Sequence, residues 1–139
     1  MRVHEIMTPK VETVAPETSL DKVAQKMAQM NIGCVPVSKG GRLLGVVTDR
    51  DIACRVVGAG KNPAATKAQD AMSKDVAIVS VQAEIGEAAK LMAARHVSRL
   101  PVLNKDSEIV GILSIADIAS HAPGHLAQTV LRTVGQYHH

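Results

Sequence analysis

A chain of 139 residues suffices for one compact domain or for two very small units. Apolar residues make up 46% of it and aromatic ones 1%, Tyr137 alone, so the core must come from Val, Ile, Leu, Met and Ala, and an aromatic-rich β-sandwich is disfavoured. Sixteen basic against thirteen acidic residues leave a net charge of +3, scattered along the chain, which reads as a solvated surface.

The chain repeats itself. Residues 6–38 realign onto 71–103, and after one extra residue 45–54 realign onto 111–120. Met7/Met72, Val14/Val79, Met27/Met92, Pro36/Pro101, Gly45/Gly111 and Asp51/Asp117 are among the identical pairs. In chain order the first copy predicts a short strand over 11–14 and then a helix. Thr18 and Asp21 have the spacing of a capping box, and Leu20, Val23, Ala24, Met27 and Met30 recur at helical intervals. Strands over 34–38 and 43–47 flank Lys39-Gly40-Gly41-Arg42, a hairpin turn by composition. A second helix is expected over 49–57. A linker over 58–69 follows, marked by Gly58, Gly60 and Pro63.

The second copy repeats the order, with a strand over 77–79 and a helix striped by Ile85, Ala88, Ala89, Met92 and Ala93. Strands over 99–103 and 108–113 and a helix over 115–121 complete it. Residues 5–57 and 70–122 are thus read as two β-α-β-β-α repeats of a mixed α+β fold. Residues 123–139 form a tail outside the repeat, with a short helix expected through Leu126, Val130, Leu131 and Val134. The methionine stripes are read as core.

No run approaches the roughly 18 apolar residues of a membrane helix, and Met1 to Lys10 lacks the pattern of a secretory signal. Cys34 and Cys54 form no CxxC and suggest no disulfide scaffold, which fits a reducing cytoplasm. Both thiols read as packing.

The chemistry concentrates where each hairpin runs into its second helix. Gly45-Val46-Val47-Thr48-Asp49-Arg50-Asp51 and Gly111-Ile112-Leu113-Ser114-Ile115-Ala116-Asp117 each end a strand on a hydroxyl residue, with a carboxylate three positions later in the first helical turn. The plainer reading is a capping box that satisfies backbone amides. The sharper one uses the same groups on a ligand. A helix start favours phosphate, a Ser or Thr hydroxyl bonds a phosphate oxygen, and a carboxylate accepts both hydroxyls of a ribose.

With Glu5-Ile6-Met7, Val35-Pro36-Val37, Leu100-Pro101-Val102 and the two Gly-to-Asp motifs, each copy resembles a CBS domain, the cystathionine β-synthase type of regulatory repeat. The resemblance covers about residues 5 to 122. It implies two repeats packed sheet to sheet with pseudo-two-fold symmetry and two clefts able to take an adenine nucleotide. On that pattern one cleft combines Thr8, Val11, Ile32, Gly33 and Cys34 with Arg99, Ser114 and Asp117. The other combines Ser73, Val76, Val97 and Ser98 with Thr48, Arg50 and Asp51.

Arg99 stands where Cys34 does in the first copy, and Arg50 where Ala116 does in the second, so the clefts are expected to differ. An Arg fork holds phosphate better than a thiol, which ranks the Ser114/Asp117 cleft first. The resemblance also implies a homodimer, for which helices 20–30 and 85–94 offer apolar stripes that equally suit an intrachain core. Any output passes to an effector protein that the sequence does not name.

Rival classes are weaker. His121 and His125 flank Pro123-Gly124, so a shared metal-binding face is not expected. No nucleophile–base–orienter set is visible, and no catalysis is expected. Nucleic-acid binding fits the pI near 9.0, but single-strand recognition usually stacks bases on aromatics, and the repeats contain none. A structural dimerisation unit is disfavoured because both hydroxyls and both Asp residues are kept.

Overall fold

The computed structural model describes residues 1–121 together with Gly124 and Gln128. The expected tail helix, His125 and the terminal pair His138 and His139 lie outside them. In chain order the elements are α1 (Val3–Ile6), β1 (Thr8–Pro9), α2 (Leu20–Met30), β2 (Cys34–Lys39), β3 (Arg42–Thr48) and α3 (Asp49–Asp51), which widens into a π-helix over Ile52–Val57. A 3-10 turn (Pro63–Ala65), α4 (Ala68–Ala71), β4 (Val79–Ser80), α5 (Ile85–Arg95), β5 (Arg99–Leu103), β6 (Ile109–Ser114) and α6 (Ile115–His121) follow. The fold is α+β.

The chain forms two compact units. One is Glu12–Val76, and the other joins Met1–Val11 to the described residues from Ala77 onward. These units are not the sequence repeats. The head of each copy belongs to the unit built on the other copy, and the chain passes between units at Val11 and again at Val76.

In the Glu12–Val76 unit, β2 and β3 form the expected hairpin, with Val35 opposite Val47 and Pro36 opposite Val46. Gly40 and Gly41 turn it at φ of 61° and 83°, a backbone region open to glycine. The apolar stripe of α2 points inward, so Leu20, Val23 and Met27 pack with Val35, Val37, Val47 and Val56. Each such side chain contributes roughly 1.5–3 kcal/mol when fully buried.

Ala68, Ala71 and Met72 complete this core, although the sequence places the first of them in a linker. The difference is physical. Ala68 N–H donates to Thr18 O at 2.7 Å and Leu20 N–H to Thr66 O at 2.9 Å, so the supposed linker clamps the start of α2. The same clamp moves the helix cap. Ser19, not Thr18, is the N-cap residue, and its hydroxyl donates to Asp21 rather than closing the expected capping box.

Two further expectations change. The predicted strand over 11–14 reduces to one parallel bridge, Val14 to Val37, because the chain changes units at Val11. Cys54 is exposed rather than packed, since it is Val56 that the widened turns of the π-helix carry into the core. No disulfide joins it to Cys34.

The other unit holds a four-stranded sheet in the order β1-β6-β5-β4, antiparallel except for β5 with β4. α5 lays Ile85, Ala88, Ala89 and Met92 on Leu100, Val102 and Leu113, and Val3 and Ile6 of α1 close the same core. Most of both apolar stripes offered as dimer surfaces is therefore packed within its own unit, while Met30 at the end of α2 stays exposed.

The head segments cross onto glycines. Thr8 and Pro9 pair with Ile112 and Gly111, while Ser73 and Val46 exchange backbone hydrogen bonds of 2.8 and 3.0 Å. A Cβ at Gly45 would lie 2.7 Å from Ser73 O and 2.9 Å from Met72 Sδ. One at Gly111 would meet Met7 Sδ at 2.5 Å and Thr8 O at 3.0 Å. The repeated Gly is required by this close approach, not by turn geometry.

Candidate functional site

Each unit brings one hydroxyl–carboxylate pair to the junction of its hairpin and second helix. Thr48 Oγ1 accepts from Asp51 N–H at 3.0 Å and Thr48 N–H donates to Asp51 Oδ2 at 2.9 Å. Ser114 Oγ accepts from Asp117 N–H at 3.1 Å and Ser114 N–H donates to Asp117 Oδ2 at 2.9 Å. The capping box is thus real in both units, and it leaves chemistry unused. A hydroxyl that accepts an amide proton keeps its own to donate, and a carboxylate that accepts once has further lone pairs.

Strand pairing decides which residues surround each pair. Cys34 lies opposite Thr48, and Asp49 N–H donates to Gly33 O at 3.0 Å. Arg99 lies opposite Ser114, and Ile115 N–H donates to Ser98 O at 3.0 Å. The sequence reading divided these neighbours crosswise, giving Gly33 and Cys34 to Asp117 and Ser98 to Asp51. In an antiparallel hairpin the first residue of one strand must face the last residue of the next, so each pre-proline segment adjoins the Asp of its own copy.

The Glu12–Val76 unit accordingly holds Ile32, Gly33, Cys34, Thr48, Arg50, Asp51, Ser73 and Val76, and the other holds Thr8, Val11, Val97, Ser98, Arg99, Ser114 and Asp117. Directly opposed residues project to one face of a sheet. Arg99 and Ser114 therefore leave the same face, with Arg99 exposed and its Nη1 donating to Ser98 Oγ at 3.5 Å.

The two carboxylates differ in their surroundings. Asp51 is buried, at 8% exposure, and Ser73 Oγ donates to it at 3.1 Å from Oδ1 and 3.3 Å from Oδ2. Arg55 Nε lies 3.8 Å from Asp51 Oδ1, while its Nη1 donates to Met72 O at 3.1 Å. Asp117 is half-buried, and among the described residues only Ser114 N–H bonds to its carboxylate. Thr8, the counterpart of Ser73, is exposed and makes no such bond. His121, the counterpart of Arg55, places Nδ1 3.1 Å from the backbone O of Asp117 and not on its carboxylate.

Sequence reasoning missed Arg55, although an acid four residues before a base in a helical pattern signals the pair. It also missed Asp49, whose Oδ2 would stand 3.0 Å from a Cβ at Gly33. Among the described residues no group of three or more His, Cys, Asp or Glu is placed to hold a metal ion. No described helix is long and apolar enough to cross a membrane.

The sequence profile of the CBS domain matches the chain twice, over residues 3–58 and 68–124. The chain is 34% identical over 117 residues to the CBS domain-containing protein YhcV of Bacillus subtilis, covering 84% of itself and 82% of that protein. It is 34% identical over 129 residues to MK0525 of Methanopyrus kandleri, covering 92% of itself but only 65% of that longer protein. The crystal structure of hypoxic response protein I, which holds two coordinated zinc ions, superposes with a TM-score of 0.82 at 33% identity, over 88% of this chain and all of that one. CBSX2 in complex with AMP shares the fold, at a TM-score of 0.75 and 24% identity over 86% of this chain and 93% of that one.

Proposed function

The chain belongs to the CBS-domain family, carrying two such domains in tandem, and from that premise we propose that it is a non-catalytic regulatory module whose ligand is an adenine nucleotide. The observation that carries this reading is the hydroxyl–carboxylate pair standing at the same junction in both units, with acceptor and donor capacity beyond its own cap. At Ser114 the hydroxyl proton and the Arg99 guanidinium meet phosphate oxygens, while Asp117 accepts the two ribose hydroxyls. Val11 and Val97, both half-buried in the same unit, offer apolar surface to the base. The AMP complex of CBSX2 supports the reading only as far as one fold accommodating one ligand.

The Ser114/Asp117 site ranks first, because it alone combines a guanidinium across the ladder with a carboxylate that one backbone N–H engages. Thermal-shift and calorimetric titration of the full chain with AMP, ADP, ATP, NAD and S-adenosylmethionine tests the proposal. At least one adenosyl compound is expected to bind at micromolar concentration, and Asp117→Ala is expected to weaken it at least tenfold. Silence across the panel, or a strongly salt-dependent gel shift that free nucleotide does not compete, overturns it. The reading includes a homodimer and an effector protein, the former to be dropped if light scattering returns a monomer.

A further inference from the structure

We propose that Ser73 is an internal competitor for the carboxylate of Asp51, so that the Thr48/Asp51 site takes an adenine nucleoside only by releasing Ser73 and fills after the Ser114/Asp117 site. This rests on the nucleotide reading above and assigns the order in which its two sites load.

A ribose engages a carboxylate through two hydroxyls, each needing an accessible oxygen. At Asp51 both oxygens face the Ser73 hydroxyl, at 3.1 and 3.3 Å, and Thr48 N–H takes a further position on Oδ2 at 2.9 Å. Arg55 stands over Oδ1 at 3.8 Å. What remains accessible of Asp51 is 8%. Ser73 therefore presents the same chemical group that a ribose would, an alcohol donating to a carboxylate.

The backbone fixes it there. Ser73 exchanges 2.8 and 3.0 Å hydrogen bonds with Val46, the residue two before Thr48, so its backbone is fixed beside the carboxylate and only the rotamer of a short side chain remains to be set. Arg55 reinforces the arrangement by donating to Met72 O at 3.1 Å.

Sequence symmetry makes the asymmetry informative. Thr8 occupies the corresponding position and pairs with β6 in the same manner, opposite Ile112, yet its side chain is exposed and leaves Asp117 to Ser114. The two sites share a backbone plan and differ in whether the head-segment hydroxyl is turned onto the acid. Ser73 thus sets both occupancy order and selectivity. A ligand at Asp51 must offer more than its diol, and a bare nucleoside gains least there.

Calorimetry of the full chain with AMP and with adenosine, on wild type, Ser73→Ala, Ser73→Cys, Asp117→Ala and the Asp117→Ala/Ser73→Ala double variant, tests this. Removing one hydrogen bond to a charged acceptor is expected to raise affinity at the Asp51 site about tenfold. The double variant should therefore bind AMP about tenfold more tightly than Asp117→Ala, and Ser73→Ala should move the stoichiometry from one toward two. Ser73→Cys, which keeps the volume but donates weakly, should fall between. Equal or weaker binding in the double variant overturns the competitor role and makes Ser73 a ligand contact, while the nucleotide reading stands on the wild-type titration. Absence of binding in wild type and in Ser73→Ala alike removes both. Binding that appears only on Ser73→Ala sustains the competitor role. Thermal unfolding of each variant confirms that a folded protein is being titrated.

Discussion

Glu5 shows how a single side chain at the head of the chain is tied to folding. Its carboxylate accepts Arg2 N–H at 2.9 Å, and that bond holds its pKa below the ordinary 4.5, aided by the charges of the N-terminus, His4 and Arg2. A depressed folded-state pKa means stabilisation that is complete above the unfolded value and disappears as pH falls through the folded one. Glu5→Gln should therefore be less stable than wild type near neutral pH and converge with it in acid, as read from urea midpoints across that range. Asp21, lowered by the Ser19 hydroxyl and then by Lys22 N–H, predicts the same sign for Asp21→Asn. The close approach at Gly45 is a second test at this scale. Gly45→Ala puts a methyl against a backbone carbonyl that cannot swing away, and should cost about 1–3 kcal/mol of unfolding free energy. Gly111→Ala meets chiefly the flexible end of Met7 and should cost less.

Among the elements, hairpins and long helices were legible because their signals are local. Apolar spacing fixed α2 and α5, turn chemistry fixed the β2/β3 and β5/β6 hairpins, and the hydroxyl-to-Asp spacing located both capping boxes. The α4 segment was not legible. Its Ala68 and Ala71 carry no periodic stripe over four residues, and Gly and Pro just before them read as linker. Their burial comes from partners some fifty residues away in sequence, Thr18 and Leu20 among them. Ala68→Glu discriminates the two readings. A linker residue would tolerate it within about 0.5 kcal/mol, whereas a side chain at 0% exposure in the core should cost at least about 3 kcal/mol, measured by urea denaturation. The neighbours of Gly33, Cys34 and Ser98 within their own units were not legible for a related reason, since the repeat pattern says which residues correspond but not which of them adjoin.

For the whole molecule, the exchange of head segments means that a repeat and a folding unit have different boundaries. A fragment of residues 12–76 keeps the whole core containing Ala68, Ala71 and Met72, while one of residues 5–57 keeps the repeat and loses all three. The first is expected to unfold cooperatively in a circular-dichroism melt, at a lower midpoint than the full chain, and the second to show no cooperative transition. The reverse result would restore the repeat as the folding unit.

The sequence by itself determined that there are two copies of one α+β plan, that their cores are aliphatic, and that a hydroxyl and a carboxylate sit at each strand-to-helix junction. Those features depend on spacing within about ten residues, which a linear pattern records. Only the tertiary structure decided that each copy completes its core with the head of the other. It also set Asp51 under Ser73 and Arg55 while leaving Asp117, among the described residues, to a single backbone partner. Such arrangements arise from contacts between distant segments and from the direction in which a hydroxyl is turned, and both are settled by packing.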